Sequence, residues 1–414
     1  MDTSVTSLKG GRDTAAAQVT PTRKIILLGS LYLTQGVPFG FFTQAFPSLM
    51  RKQGYSLEAI SVATVLALPW AAKFLWAPAV DRYSFRHFGR RKSWLVPLQL
   101  LTVMTLLAVA LLPVRDLSLG VLATVLLVNF MIATQDIAAD ALAIDVLAGR
   151  ERGVANGIQV AGYRLGMVIG GGILLIVFDR YGWTVTFASM ATIIAAASAP
   201  VFTYKELPHA ALGTAADVGI CSFLRRPGAA YVMALVTTYK FGEAFAIGMV
   251  RPLLVDKGFG LSDIGAMLGI VGFGAVLIGG LTGGALVNIL GRRKALIVFG
   301  VGQAAAVAGY AYMASHSVGR GFAYTVCAAE HFTSGMANAG LFTCMMDWSS
   351  RETGATDYTL QASAVVIASG LASSLSGFSA GRFGYTSHFA LSFVLASAAA
   401  LVAATLYNKT PDAY

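Results

Sequence analysis

The chain has little charge. Only 12% of its 414 residues are Asp, Glu, Lys or Arg, too few to keep a soluble surface wetted over this length. Cysteine is equally scarce. Cys221, Cys327 and Cys344 show neither paired nor metal-like spacing, which excludes a disulfide framework and a zinc module. Two motifs are missing: there is no His-Glu-x-x-His and no Gly-Lys-Ser/Thr phosphate loop. Zinc hydrolysis and internal ATP drive are therefore excluded. None of the five histidines stands five residues before an Asp, which leaves a membrane-embedded acyltransferase as a weak alternative. The first 24 residues lack a short apolar core with a small-residue cleavage site, so no removable signal peptide is expected. The central polar stretch, about 203–228, is too short for a soluble output domain, which argues against a sensor.

What is present is apolar. Hydrophobic residues make up 56% of the chain, mean hydropathy is +0.68 and there are 45 glycines, which suit close helix contacts. A spanning helix needs about 20 mostly apolar residues, and such stretches recur near 25–49, 57–80, 94–113, 119–142, 154–178, 183–202, 229–254, 262–290, 295–314, 320–345, 356–380 and 385–407. They are too long and too poor in alternation for barrel strands. The expected fold class is an all-α integral membrane protein with twelve transmembrane helices. Neither a cofactor nor a metal site is expected, and net charge +10 reads as topology rather than nucleic-acid binding.

Lysine and arginine set the orientation. With both termini on one side, the loops there carry 19 of the 30 basic residues and the opposite loops carry eight, while Lys73, Arg164 and Lys240 lie within spans. The positive-inside rule then places both termini in the cytoplasm. The expected division is a tail 1–24, a six-helix bundle 25–202, a loop 203–228, a second bundle 229–407 and a tail 408–414.

The halves repeat. "GRRK" occurs at 89–92 and 291–294, "RERG" at 150–153 is echoed by "RETG" at 351–354, and "PSLMRKQGYSLEAI" (47–60) by "PLLVDKGFGLSDI" (252–264). The offsets, 201 to 205, lie near half the chain length. Two parallel six-helix repeats are the plan of one large class of secondary transporters.

"APAVDRYSFRHFGRRK" (77–92) resembles the conserved loop motif of the major facilitator superfamily, with a longer spacer between Asp81 and Gly89 than usual. "GGALVNILGRRK" (283–294) is its second copy, with Asn288 where the acid would stand. Within that superfamily, "LPWAAKFLWAPAVDRY", "QDIAADALAIDVL" and "RERGVANGIQVAGYRLGMVIGGG" resemble the AmpG-like branch of muropeptide permeases, acetyl-CoA carriers and RhtX/FptX siderophore permeases. The compact length is most like the RhtX/FptX group. The resemblance implies a monomeric transporter of the bacterial inner membrane that imports a pyochelin-like ferric siderophore by alternating access, with proton symport. It also implies that the first, fourth, seventh and tenth spans line a central cavity. Muropeptide permease or acyl-CoA carrier is the alternative.

Charges inside the spans are the candidate functional residues, because each costs about 2.5 to 3.5 kcal/mol at mid-membrane. Asp136 and Asp140, four apart, share one helix face, and Arg164 on the fifth span is the expected partner in an Asp/Arg cluster. Gly162, Gly166 and Gly170 allow that helix to approach another closely. Glu243 and Glu330 complete the candidates for proton coupling, with His331 beside Glu330; Lys240 and Glu243 can equally neutralise each other. Tyr32, Gln35, Lys73, Tyr163, Arg164, Tyr239 and Lys240 are candidate substrate contacts, Lys73 being equally able to snorkel. Asp81, Arg82, Gly89, Arg90, Arg91, Asp145, Arg292, Arg293 and Asp347 form a candidate gate at the loop-motif ends. Asp145 beside "RERG" and Asp347 beside "RETG" read as partners of those nearby arginines, or as solvated loop charges.

Overall fold

The computed structural model describes residues 20–46, 49–50, 68–85, 89–111, 119–206 and 218–411. Most of the N-terminal tail, the first half of the second span, most of the 47–60 echo and the middle of the central loop lie outside the described residues. So do the last three residues and the loop cations Lys9, Arg12, Arg51, Lys52, Arg86 and Arg115.

All regular structure among the described residues is helical. Seven helical stretches there are long and apolar enough to cross a membrane, and two of them, Arg152–Thr203 and Gly354–Lys409, have 52 and 56 residues. At 1.5 Å per residue each is long enough to cross twice. Both are broken by a glycine with φ +75°, Gly182 and Gly384, in the left-handed region that other residues avoid. These glycines sit 202 positions apart, as do Gly89 and Gly291, which also have positive φ. The repeat read from short motifs is thus written into the backbone as well.

Three further spans are irregular or more polar. The second keeps Leu68–Ala72, a 3₁₀ turn Lys73–Leu75 and Ala77–Arg82. Pro78 lacks the amide that would bond back to Phe74, so the helix restarts there. The seventh is Ala229–Tyr239, Phe241–Ile247 and Val250–Asp256. The tenth, Arg320–Asp347, is continuous.

Two compact units emerge. The first holds residues 1–148, 161–219 and 350–359. Its core gathers Phe41, Leu106, Val128, Phe187, Met190 and neighbours from the first, third, fourth and sixth spans. Here the glycine series of the fifth span meets the first span: a side chain at Gly166 would strike the Leu33 carbonyl at 2.7 Å, and one at Gly162 the Gly29 carbonyl at 2.8 Å. Gly36 and Gly40 answer from the other side, against Tyr163 and Met167.

The second unit holds residues 149–160, 220–349 and 360–414. Its core packs Leu253, Met267, Tyr310, Cys327 and Phe389 from the seventh, eighth, ninth, tenth and twelfth spans. A second glycine seam joins Gly153 and Gly157 to Gly284 and Gly280.

Candidate functional site

In the first unit, the broken second span delivers Lys73 to the face of the fourth span that carries Asp136, and the two form a buried ion pair. One turn on, Asp140 accepts a hydrogen bond from the Tyr32 hydroxyl at 2.8 Å. The Gln135 amide donates to Thr34 at 2.8 Å, and the indoles of Trp70 and Trp76 donate to Asn129 and Thr134, both at 3.1 Å. Trp70 also stands 5.7 Å from the Lys73 ammonium, at cation–π range. With Phe39 and Tyr163 it makes a half-buried aromatic group, its ring centroid 5.0 Å from that of Phe39 and 6.3 Å from that of Tyr163. Gln35 is fully buried, and neither end of its amide has a hydrogen-bond partner.

The expected cluster gains members from the first and second spans. Asp136 takes Lys73 from the second span, and Asp140 takes Tyr32 from the first. Arg164, half-buried, reaches the Met167 sulfur at 3.9 Å. Spacing alone could not foresee Lys73 as the partner of Asp136, because it tells which residues share a helix face and not which neighbouring helix meets that face.

In the second unit, Lys240 and Glu243 form a buried ion pair, as one of the two sequence readings has it. Glu243 also accepts from the Gln303 amide and, at 2.5 Å, from the Ser334 hydroxyl. Tyr239 lies in the same unit. It is buried, its hydroxyl donates to the Leu296 carbonyl at 2.7 Å, and its ring packs on Gly300. Glu330 is 1% exposed; both its carboxylate oxygens lack a hydrogen bond, and His331 Nδ1 lies 2.7 Å from Oε2.

The loop-motif residues of the first unit converge on Asp81. Arg91 donates to it at 2.9 Å and to Asp145 at 2.8 Å, and Arg90 donates to it at 3.1 Å. Asp81 also accepts the Thr356 amide and hydroxyl, each at 2.7 Å, and so caps the helix that begins at Gly354. Burial works against the Arg91 charge, but Asp145 and Asp81 outweigh it and raise the guanidinium above its ordinary value. For Arg90, burial and the neighbouring Arg91 win and lower it. In the second unit Asp347 accepts from Arg152 and Arg292, each at 2.7 Å, and Arg292 donates to Asn288 at 3.1 Å.

Two gate expectations change. Asp145 pairs with Arg91 rather than with "RERG", and Asp347 pairs with Arg152 and Arg292 rather than with "RETG". Arg82 is exposed over the Tyr83 ring, and Arg293 bonds the Ala404 carbonyl. Glu206 is a residue that the motif reading missed. Its carboxylate accepts the amides of Arg91 and Lys92 at 2.9 to 3.0 Å and packs against Gly89. It lies 114 residues beyond Lys92, so no local pattern announces it.

Residues 28–356 match the Major Facilitator Superfamily. The chain belongs to that superfamily. Among its relatives it is 30% identical over 350 residues to the anhydromuropeptide permease of Escherichia coli K12, covering 82% of this chain and 70% of that one. It is 25% identical over 402 residues to AmpG 4 of Rickettsia conorii, covering 93% and 96%. A solved bacterial homologue of the iron transporter ferroportin superposes with TM-score 0.67 at 16% identity, over 94% of this chain and 99% of that one, which shows the fold alone. This superfamily member is a multi-pass membrane transporter of small molecules, with AmpG-like relatives.

Proposed function

We propose that this transporter imports a bulky anionic solute across the bacterial inner membrane by alternating access, driven by protons, and that the solute is a muropeptide. It works as a monomer with both termini in the cytoplasm. The observation that carries the substrate class is the likeness to the E. coli anhydromuropeptide permease over most of this chain. The first unit's geometry suits it: three half-buried rings, Phe39, Trp70 and Tyr163, offer faces for a sugar, and Lys73 and Arg164 supply positive charge for carboxylates.

A ferric siderophore is the second reading, favoured by the same aromatic group beside a cation, which also suits an aromatic, anionic chelate. The relatives named above give it no support. One experiment separates the two: uptake by a deletion strain expressing this chain, with labelled anhydromuropeptide and with a labelled ferric siderophore, each competing against the other. Saturable muropeptide uptake with no effect of the siderophore supports the first reading; the reverse replaces it.

The clusters around Asp81 and Asp347 act as gates in this proposal. Each ties a loop-motif arginine to an acid at a helix end, so a cycle that opens and closes that end must break and remake those bonds. Substituting Arg91 or Arg292 by Lys keeps the charge but loses the planar fork that serves two acceptors. Slower transport with substrate affinity retained is the expected result, read by initial rates and by equilibrium binding. Equal loss of both would point to misfolding.

A further inference from the structure

We infer that Glu330, with Tyr310 and His331, is the site where the coupling proton binds. This rests on the proton-driven reading above and names its residue. Four buried carboxylates were candidates, and the structure separates them by what already holds them. Asp136 is tied to Lys73, Asp140 to Tyr32, and Glu243 to Lys240, Gln303 and Ser334. A carboxylate held by a permanent cation, as Asp136 and Glu243 are, gains little from a proton, because protonation strands the partner's charge, and Asp140 already accepts the Tyr32 hydroxyl. Glu330 has no such holder. It is buried, and its near neighbour is His331, whose Nδ1 lies 2.7 Å from Oε2 and which carries charge only when it holds a proton itself.

The neighbours fit proton traffic. Tyr310 on the ninth span is fully buried beside Cys327 and Glu330. His331 bridges from partial exposure to the buried carboxylate: its side chain is 24% exposed, against 1% for that of Glu330. Its Nδ1 lies 2.9 Å from the Cys327 carbonyl and 2.7 Å from Glu330 Oε2, and its ring is seated against Gly272 of the eighth span. The packed elements add few competing charges. The eighth-span helix Gly272–Leu290 carries no titratable residue. The seventh offers Glu243, already bound, and the twelfth offers His388, which reaches Tyr310 only through the Phe389 ring.

The step is a plain proton transfer. A hydronium ion outside gives its proton through the imidazole to the Glu330 carboxylate, leaving water and a neutral carboxyl. On the other side of the cycle the carboxyl returns that proton to water. The Tyr310 hydroxyl beside it can donate to the carboxylate or accept from the acid as the proton comes and goes.

Proteoliposomes with labelled anhydromuropeptide and an imposed pH gradient test this, alongside infrared pH titration of the purified protein. Glu330→Gln should lose accumulation above the equilibrium level, lose more accumulation than exchange, and lack one protonated-carboxyl band that the wild type shows. Tyr310→Phe and His331→Gln should shift the pH at which that band appears, and Glu330→Asp should restore part of the accumulation. A purely structural role would lower all signals together without moving the pH profile, and would overturn the inference. So would uphill uptake by Glu330→Gln equal to wild type. Failure of the wild type itself to respond to the gradient would instead overturn the proton-driven reading on which this rests.

Discussion

Lys73 shows what a single buried charge demands of its surroundings. Its ammonium is 4% exposed and survives there because Asp136 faces it and Trp70 flanks it. Removing one partner leaves the other buried and uncompensated, at a cost of about 3 to 5 kcal/mol. Asp136→Asn should therefore lower thermal stability in detergent sharply, and adding Lys73→Met should recover much of the loss. Additive losses in the double variant would show that the pair does not act as a unit. The sequence exposed both residues as costly but matched Asp136 with Arg164. Helical spacing tells which residues share a face; it does not tell which neighbouring helix turns a cation toward that face.

Helix contacts were more legible than charge partners. The series Gly162, Gly166 and Gly170 announced a close approach, and the structure supplies the first span as its partner, through Gly36 and Gly40. Gly166→Leu should overpack that seam and cost about 1 to 3 kcal/mol, whereas Gly172→Ala, with open space around its Cβ position, should be nearly neutral. Thermal melting of the two variants in one detergent checks this; equal melting points would remove the seam from the account. Glu206 is the opposite case, invisible to motif reading because its partners lie 114 and 115 residues away. Glu206→Ala exposes the amides that open the third span and should cost about 0.5 to 2 kcal/mol, the range for losing a helix cap. Hydrogen exchange at Arg91 and Lys92 reads that loss directly, and unchanged protection there would contradict the capping role.

For the molecule as a whole, the repeat carried most of the information. Short motifs 201 to 205 residues apart implied two parallel halves, and the positive-φ glycines, 89 with 291 and 182 with 384, fall on the same offset. Fold and superfamily were thus legible from periodicity and one loop motif. The substrate was not, because aromatic rings beside cations suit several anionic solutes, and the expected siderophore gives way to the muropeptide class on the strength of the relatives. The most direct measurement is accumulation of labelled anhydromuropeptide in proteoliposomes containing only this protein, with the outside more acidic than the inside. The account predicts saturable uptake above the external concentration that collapses when a protonophore removes the gradient. Uptake that never exceeds the external concentration, or that ignores the gradient, would contradict it.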